Sequence, residues 1–401
     1  MYTNMLSGKS DPIFALNEMF RHDKRSNKID LGVGVFKNDH DITPLMKAVE
    51  LAEKKVIQNQ NTKVYQGLNG NEEFNQAIIK LLIKKSSVRL RSAIIQTTGG
   101  SGALRLISDY IYSINPSTTV WISNPSYANH YPILNDAGLK VTHYNYINTE
   151  TKMADVDAII SSLMLAKRGD IILLHGCCHN PTGADLSIKQ WSILSDFMIR
   201  KGLIPFIDIA YQGLGDGLEE DAAGLNIILN QFDEVFITTS CSKNFGLYAE
   251  RIGAAIIVCK HYYSVQYVRK HMTNLVLNSY AMPPNHGAKI VSLILNDYSL
   301  RKLWESELSE MRKRIKENRV LFHNSLATTR YSDDISFILK HKGMFSSFGW
   351  KDHVIDILRE EHCIYIVKGG RVNFAAMSKS KIERITSCIY SSHQGFNYLK
   401  Y

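Results

Sequence analysis

A lysine directly after an apolar run is the residue of this sequence best suited to covalent chemistry. Lys243 lies in the segment 240–246, behind a run that predicts a buried strand. A buried ammonium group is costly, but the cost disappears if the amine is held as an imine with an aldehyde. Ser240, Ser242 and Arg251 could bind a phosphate by charge-assisted hydrogen bonds. Taken alone, this segment could equally be a surface turn with a solvated lysine.

A glycine-rich segment suggests an anion site. Residues 97–105 lead from a predicted strand through Gly99, Gly100 and Gly102 into a predicted helix. Backbone N–H groups at the start of a helix favour an anion, typically phosphate. The spacing fits neither a Walker loop nor the dinucleotide-binding fingerprint. A tight turn without any ligand explains the segment equally well.

Two polar motifs after further predicted strands suit a pyridine ring. Asp208 could pair with a pyridinium nitrogen and make the ring an electron sink, and Tyr211 could reach a phenolic oxygen of that ring. Asn180, within 175–183, offers a neutral donor to the same oxygen. Asp208 is also consistent with a helix N-cap, and the segment of Asn180 with a ligand-free turn. Only the joint occurrence of the motifs, all at strand ends, indicates chemistry.

The elements that must position these motifs alternate between strands and helices. Amphipathic stretches such as 102–114 and 187–201 separate short β-rich runs, an order typical of a mostly parallel sheet with right-handed crossovers. In such sheets ligands bind beyond the carboxyl ends of the strands, where the polar motifs fall. The predicted strands are 93–96, 119–123, 140–146, 170–175, 204–207, 234–239 and 254–259.

The pattern changes near Met282 and predicts a second, smaller domain. A long helical run covers 285–326, and a final helix begins at Ser378. We expect an N-terminal arm with part of the small domain in 1–45, a large domain in 46–300 and the small domain in 301–401. The strand-like pieces of the small domain are 336–340, 343–347, 363–367 and 371–374.

The bulk composition is that of an ordinary globular chain. Of its 401 residues, 45% are hydrophobic and 21% are charged, and the net charge is +9. The densest basic cluster, at 312–319, is interleaved with or flanked by glutamates, which indicates a solvated helix face and no nucleic-acid partner. The positive potential could instead attract an anionic cofactor and carboxylate substrates.

Neither a membrane span nor an export signal is expected. The best apolar run, 252–259, is far shorter than a membrane helix requires, and the first residues contain no signal-peptide pattern, so we expect a cytoplasmic protein. Cys177 and Cys178 are adjacent rather than spaced as CxxC, and no metal site is expected.

Together the motifs resemble those of the class I aminotransferases of fold type I, within them the aspartate/aromatic amino acid aminotransferase subgroup. The resemblance extends from Asp11 to about Ile389. It implies an α/β fold whose large domain holds a mostly parallel seven-stranded sheet, beside a smaller α/β domain. It also implies pyridoxal 5′-phosphate (PLP) as cofactor, and ping-pong transfer of an amino group between an amino acid and a 2-oxo acid. The segments that carry it are 31–35, 98–105, 123–126, 175–183, 210–213, 242–248 and 370–373.

The resemblance assigns roles residue by residue. Lys243 matches the Schiff-base lysine that also transfers the proton, Asp208 the partner of the pyridinium, and Tyr211 and Asn180 the groups on the phenolic oxygen. Arg371 matches the arginine that binds the substrate α-carboxylate. The residues matching the phosphate cup are Gly100, Ser101, Ser240, Ser242 and Arg251, Gly34 matches a loop glycine beside the α-carboxylate, and His130 and His179 match histidines behind Asp208.

The resemblance further implies a homodimer with shared sites. Tyr65 matches a tyrosine that reaches the phosphate from the neighbouring subunit. The family's arginine for a substrate side-chain carboxylate, also from that subunit, is replaced here by Leu277, with Tyr280 and the following prolines in register. An isobutyl group cannot pair with a carboxylate, and leaving one unpaired in a closed site is costly.

Three further departures make the expected substrate pocket more apolar. Val64 and Met282 each stand where aspartate enzymes of the family have asparagine, and Tyr127 replaces the tryptophan that stacks on the cofactor ring. We therefore expect aromatic or apolar amino acids to be preferred. Aspartate aminotransferase activity, or a pathway-specific role in specialised metabolism, is the alternative. Lys37, Asn278 and Lys368 are the candidates for a substitute contact to a dicarboxylate.

Three rival hypotheses are weighed: two keep the fold, and the third starts from the net positive charge. A PLP lyase or decarboxylase is disfavoured by the matches at Asn180, Tyr211 and Arg371. A binding protein that had lost catalysis would be expected to lack Lys243, Asp208 or Arg371, all of which are present. A nucleic-acid binder rests on net charge alone and would show steep salt dependence.

Overall fold

The structure is a computed structural model that describes residues 12–326 and 335–391. Two compact units make up the chain, and each is described by itself. The larger unit consists of residues 44–180 and 184–313, and the smaller one of the described residues in 1–43, 181–183 and 314–401. In the described ranges, no helix has both the length and the apolar character needed to cross a membrane.

A seven-stranded sheet forms the centre of the larger unit. Six strands run in one direction, and β8, between β2 and β7, runs in the other. The spatial order is β2-β8-β7-β6-β5-β3-β4. The strands are β2 (Ser92–Thr98), β3 (Thr119–Asn124), β4 (Lys140–Asn145), β5 (Ile171–His175), β6 (Ile204–Ile209), β7 (Val235–Ser240) and β8 (Ile252–Val258).

The sheet confirms the expected α/β class and the seven predicted strands of the large domain. Apolar runs such as β5 and β8 are buried on both faces, as is usual for central strands covered by helices. The helices of the larger unit are α2 (Lys47–Asn59), α3 (Glu72–Leu82), α4 (Ser86–Leu90), α5 (Gly99–Ile114), α6 (His130–Asp136), α7 (Val156–Leu163), α8 (Ile188–Lys201), α9 (Ala223–Gln231), α10 (Val265–Ser279), α11 (His286–Asn296) and the first part of α12 (Tyr298–Leu326).

The smaller unit contains two small sheets and several helices. Strand β1 (Ile29–Asp30) pairs in parallel with β10 (Ile364–Tyr365), and β9 (Phe345–Ser347) pairs antiparallel with β11 (Arg371–Asn373). Its helices are α1 (Pro12–His22), the rest of α12, α13 (Asp352–Glu360) and α14 (Lys379–Ser391). Residues 392–401, most of the C-terminal tail that extends beyond the resemblance, lie outside the described residues.

Two sequence expectations for the C-terminal region are wrong. The predicted strand at 336–340 is a 3-10 helix, Ser336–Leu339, because a short apolar run does not distinguish a strand from a helical turn. The predicted continuous helix at 285–326 is broken at Asp297, which has extended backbone angles. The Asp297 carboxylate accepts the N–H groups of Ser299 and Leu300 and so caps the start of α12.

A buried aspartate fixes the loop that follows β6. The Asp221 carboxylate accepts the backbone N–H groups of Gly213, Gly215 and Asp216 at 2.8–2.9 Å. Burial raises the pKa of Asp221 in spite of these bonds. The loop is thereby held in one conformation immediately after Tyr211.

Removing this carboxylate should destabilise the larger unit. Asp221→Ala leaves three backbone N–H groups without their acceptor, and we expect a loss of about 3 kcal/mol in the free energy of unfolding. Urea denaturation followed by circular dichroism measures this loss. Asp157→Ala, at an exposed position in α7, is the control and should change the stability by less than about 0.5 kcal/mol. Equal effects of the two substitutions would contradict the assigned role.

Candidate active site

A cavity lies where β5, β6 and β7 end at one edge of the sheet. Its empty volume, including open solvent at the mouth, is about 510 Å³. Leu104, His175 and Ala210 line it without having been singled out from the sequence. The lining residues that were predicted are Gly100, Ser101, Tyr127, Asn180, Asp208, Tyr211, Ser240, Ser242, Lys243 and Arg251.

One part of the cavity wall is suited to an anion. Helix α5 begins at Gly99, so the backbone N–H groups of its first turn have no acceptor within the helix. Arg251 Nη1 donates to Ser242 Oγ at 3.3 Å, and Ser240 Oγ donates to the same oxygen at 3.1 Å. Among the described residues, no carboxylate lies within ion-pair distance of Arg251. Its positive charge is therefore available to a phosphate group.

Glycine is required where this wall is tightest. Gly99 has φ +73, and a Cβ atom there would lie 2.5 Å from Nη2 of Arg251. A Cβ atom on Gly100 would lie 3.1 Å from that of Ser240. Arg251 itself has a left-handed backbone, with φ +56. Hydroxyl, guanidinium and backbone N–H donors thus converge on a space that side chains leave open, and this donor set fits the phosphate of PLP.

Asp208 is a buried anion at the carboxyl end of β6, with 8% of its surface exposed. The register pairs it with His175 on β5 and Thr238 on β7. Thr238 Oγ1 donates to Oδ1 at 2.7 Å, and His130 Nε2 lies 3.2 Å from Oδ2. Burial acts to raise the pKa of Asp208. The hydrogen bond and charge of His130, the charge of His175 and the hydrogen bond of Thr238 outweigh burial, so the pKa is lowered. An anion held here suits a protonated pyridine nitrogen.

A chain of histidines continues behind Asp208. Ser126 Oγ lies 2.9 Å from His130 Nδ1 and 3.4 Å from His175 Nε2, and the His175 ring lies 4.1 Å from that of His179 between centroids. Burial, and then the charge of His130, lower the pKa of His175 to about 3, so this ring is neutral. Sequence reasoning singled out His130 and His179 but missed His175, which ends a buried strand and gives no separate signal.

Lys243 shares one wall of the cavity with two polar side chains. Its Nζ atom lies 5.3 Å from the ring centroid of Tyr211. Asn180 Nδ2 donates to the Tyr211 hydroxyl at 3.3 Å. An amine, a phenol and an amide are thereby brought together from the ends of three different strands. This arrangement suits a ring that carries both an aldehyde and a phenolic oxygen.

Tyr127 lines the cavity from the loop after β3. Asn129 Nδ2 donates to its hydroxyl at 3.0 Å, and its ring meets that of His130 edge-on, with the centroids 5.3 Å apart. These two contacts fix the phenol at the position where the family's tryptophan is expected.

The two residues predicted to lie at the substrate α-carboxylate, Arg371 and Gly34, belong to the smaller unit. The guanidinium of Arg371 lies over the ring of Phe345, 4.4 Å from its centroid, and Nη2 donates to the carbonyl of Gly32. A Cβ atom on Gly34 would lie 3.0 Å from the Phe345 ring. Phe345 therefore contacts Arg371 and adjoins Gly34, and sequence reasoning missed it because an isolated phenylalanine resembles any core residue.

Besides Arg371 and Gly34, four predicted residues do not line the cavity of their own chain. Tyr65 is 89% exposed, Val64 65% and Leu277 50%, and Met282 is partly exposed. Leu277 lies on α10, Met282 in the loop after it, and Val64 and Tyr65 in the loop before α3.

One cluster of possible metal ligands occurs in the described residues. Cys177, Cys178 and Asp221 bring their ligand atoms within 4.8 Å of one another, all buried. The Asp221 oxygens already accept three N–H groups. The pKa of Cys177 is raised to about 11 by burial and nearby carboxylates, against the hydrogen bond of Cys178. Because the Asp221 carboxylate is engaged in holding the loop after β6, we assign no metal to this cluster.

Comparisons with known proteins agree with this geometry. The family model described as "Aminotransferase class I and II" matches residues 26–389. The chain is 41% identical to the aspartate aminotransferase of Escherichia coli, over 97% of this chain and 99% of the relative. It is 40% identical to the aromatic-amino-acid aminotransferase of Paracoccus denitrificans, again over 97% and 99%.

A solved structure has the same fold along almost its whole length. The aromatic-amino-acid aminotransferase of Burkholderia pseudomallei, covalently bound to pyridoxal phosphate, superposes with a TM-score of 0.94. It is 35% identical, and the match covers 98% of this chain and 99% of that chain. Since the family model spans most of the sequence and relatives of this identity cover it nearly end to end, the chain belongs to the class I and II aminotransferases.

Proposed function

We propose that this PLP-dependent aminotransferase prefers amino acids with aromatic or apolar side chains and works as a homodimer in the cytoplasm. The observation that carries the substrate preference is Leu277, an exposed leucine at the place of the family's side-chain-carboxylate arginine. The relatives include both aspartate and aromatic enzymes, so their names leave the preference open. All six cysteines are free thiols, which suits a reducing compartment.

The donor-rich end of the cavity would hold the phosphate group of the cofactor. Gly100, Ser101, Ser240, Ser242 and Arg251 would bind its phosphate, as their donors converge at the start of α5. When bound, PLP supplies an electron sink that stabilises negative charge at the substrate α-carbon.

The remaining polar groups of the cavity would act on the ring of the cofactor and on the substrate. Asp208, kept ionised by His130, would hold a proton on the pyridine nitrogen. Tyr211 and Asn180 would donate to the phenolic oxygen. Lys243 would hold the cofactor in the resting enzyme and, once its amine is released, take the proton from the substrate α-carbon as general base.

Arg371 would bind the substrate α-carboxylate. Its guanidinium is buried and held by the Phe345 ring and the Gly32 carbonyl, so it would bind a carboxylate with little loss of side-chain entropy. A planar guanidinium pairs with a carboxylate through two parallel hydrogen bonds. Gly34, against the same phenylalanine, would keep space beside that carboxylate.

An apolar side-chain pocket follows from four substitutions taken together. Leu277, Val64, Met282 and Tyr127 would surround the substrate side chain and leave a second carboxylate without a cation. Two of the three candidates for a substitute contact to a dicarboxylate already form ion pairs. Lys37 contacts Asp41 at 3.1 Å, and Lys368 contacts Asp352 at 3.0 Å. Asn278 is exposed on α10 and carries no charge.

A homodimer would give the exposed residues their function. Tyr65 and Leu277 do not line the cavity of their own chain but match positions that serve the neighbouring subunit in the family, and Val64 adjoins Tyr65. Tyr262, Tyr263 and Tyr267, next to and on α10, are also largely exposed. Aromatic side chains are enriched in protein interfaces.

Replacing the lysine should abolish activity and covalent attachment. In Lys243→Ala, we expect kcat to fall by at least about 10³-fold, because both the covalent link and the general base are lost. Borohydride reduction followed by peptide mapping should fix the cofactor on Lys243 in the unaltered enzyme. Lys260→Ala, an exposed lysine after β8, is the control and should keep both properties. Cofactor fixed at another lysine would contradict the assignment.

The substrate preference is tested by donor assays with 2-oxoglutarate, oxaloacetate and aromatic 2-oxo acids as acceptors. We expect kcat/KM for phenylalanine, tyrosine, leucine and methionine to exceed that for aspartate. Leu277→Arg should move the ratio of aspartate to phenylalanine upward by roughly 10- to 100-fold, because the new cation can pair with the side-chain carboxylate. Asn274→Arg adds the same charge to the exposed surface of α10 and should leave the ratio unchanged. Aspartate used at least as well as phenylalanine by the unaltered enzyme would overturn the preference.

The homodimer is tested by sedimentation equilibrium. We expect a mass twice the 45.5 kDa of the chain at micromolar concentration. A monomer that remains fully active would rule out shared sites.

A further inference from the structure

Gln96 is a fully buried polar residue in the middle of β2, with no part in the cavity. Its side chain is 0% exposed, and its backbone pairs with Ala254 on β8. The side-chain oxygen accepts the backbone N–H of Asn71 at 2.8 Å, and the side-chain nitrogen donates to the carbonyl of Pro284 at 2.7 Å. One amide thus joins two segments that are far apart in the sequence.

The two joined segments are also bonded to each other. Asn71 Nδ2 donates to Asn285 Oδ1 at 3.0 Å, and Thr273 Oγ1 donates to Asn69 Oδ1 at 2.6 Å. The backbone N–H of Gln96 donates to the carbonyl of Asn69 at 3.1 Å. Gln96 therefore fixes both segments to the central sheet, while the asparagines and the threonine fix them to each other.

The close contact between Gln96 and Gly70 leaves no room for a side chain at position 70. Gly70 has φ +80, and a Cβ atom there would lie 2.4 Å from Cβ of Gln96 and 2.5 Å from its Oε1. Only glycine adopts this backbone without strain and also avoids the clash. The first segment consequently packs directly on the amide that holds the second.

The same two segments carry the proposed specificity residues. Val64 and Tyr65 shortly precede Asn69, and Leu277 and Met282 shortly precede Pro284. Because these side chains are exposed or partly exposed in their own chain, their placement follows that of the backbone segments that carry them.

We propose that Gln96 is a positioning residue for substrate selectivity: its amide sets the relative placement of the segments that carry Val64, Tyr65, Leu277 and Met282, and it acts on the active site of the partner subunit. The inference rests on the proposed homodimer and substrate preference. It assigns to a buried residue of one protomer an effect on the reaction in the other.

The first test replaces the amide by an apolar side chain of similar length. In Gln96→Met, both hydrogen bonds are lost, and the ratio of kcat/KM for phenylalanine to that for aspartate should fall roughly tenfold, mainly through KM, since small displacements of positioning groups are costly. The cofactor absorbance should persist, because Lys243, Asp208 and Arg251 are unchanged and none of them contacts Gln96 in the structure. Gln76→Met, an exposed glutamine on α3, is the matched control and should keep the ratio. Thr273→Val, a milder change in the same network, should lower the ratio in the same direction if Gln96→Met proves too unstable to purify.

The second test asks which subunit feels the change. Hybrid dimers carrying two different affinity tags are purified, each with one Lys243→Ala chain, so that only one site can react. With Gln96→Met on the Lys243→Ala chain, the ratio should fall as in the full variant. With Gln96→Met on the chain that keeps Lys243, the ratio should remain that of the unaltered enzyme.

The outcomes separate this inference from the proposals beneath it. If the ratio follows the chain that carries Lys243, or if Gln96→Met lowers only the melting temperature, the positioning role is overturned. If sedimentation shows no dimer, or if the unaltered enzyme prefers aspartate, the proposed function itself has failed, and the inference fails with it.

Discussion

A carboxylate kept ionised inside the protein is the constraint around which the larger unit is organised. Asp208 is almost fully buried, so its charge must be compensated by the neighbouring strands and the histidine behind it. His130 and Thr238 supply that compensation. Burial lowers the pKa of the neighbouring His175, so the His175 ring is neutral. A central strand of a parallel sheet suits this task, because both of its neighbours end at the same edge and contribute side chains there.

The opposite charge is concentrated at the other end of the same cavity. Arg251, two serine hydroxyls and the first turn of α5 form a donor-rich wall, whereas Asp208 forms an acceptor. A ligand with a phosphate at one end and a protonated ring nitrogen at the other matches both walls at once. The two ends thus orient a single ligand by charge before any shape complementarity is considered.

Much of the fold follows from the sequence, and the parts that do not have identifiable physical causes. The seven central strands could be predicted because buried parallel strands appear as short apolar runs between helices. The segment 336–340 could not, because its three consecutive apolar residues suit a helical turn as well as a strand. The break at Asp297 was missed because a capping aspartate is hidden inside a continuous helical pattern. His175 and Phe345 contact other site residues, and neither residue type on its own distinguishes them from core residues. Leu277 and Tyr65 are exposed in their own chain, so its described residues do not form a pocket around them.

Because the backbone at Arg251 is left-handed, selection for heat resistance and selection for activity would favour different residues at this position. An L-residue with a side chain in this conformation costs about 1–2 kcal/mol, which glycine would recover and asparagine would partly recover. A laboratory lineage screened only for heat resistance would therefore gain by discarding the guanidinium. Under a growth requirement for the amino group, the same lineage would retain it. The residue found at position 251 of a selected variant would therefore show whether heat resistance or the supply of the amino group had been selected.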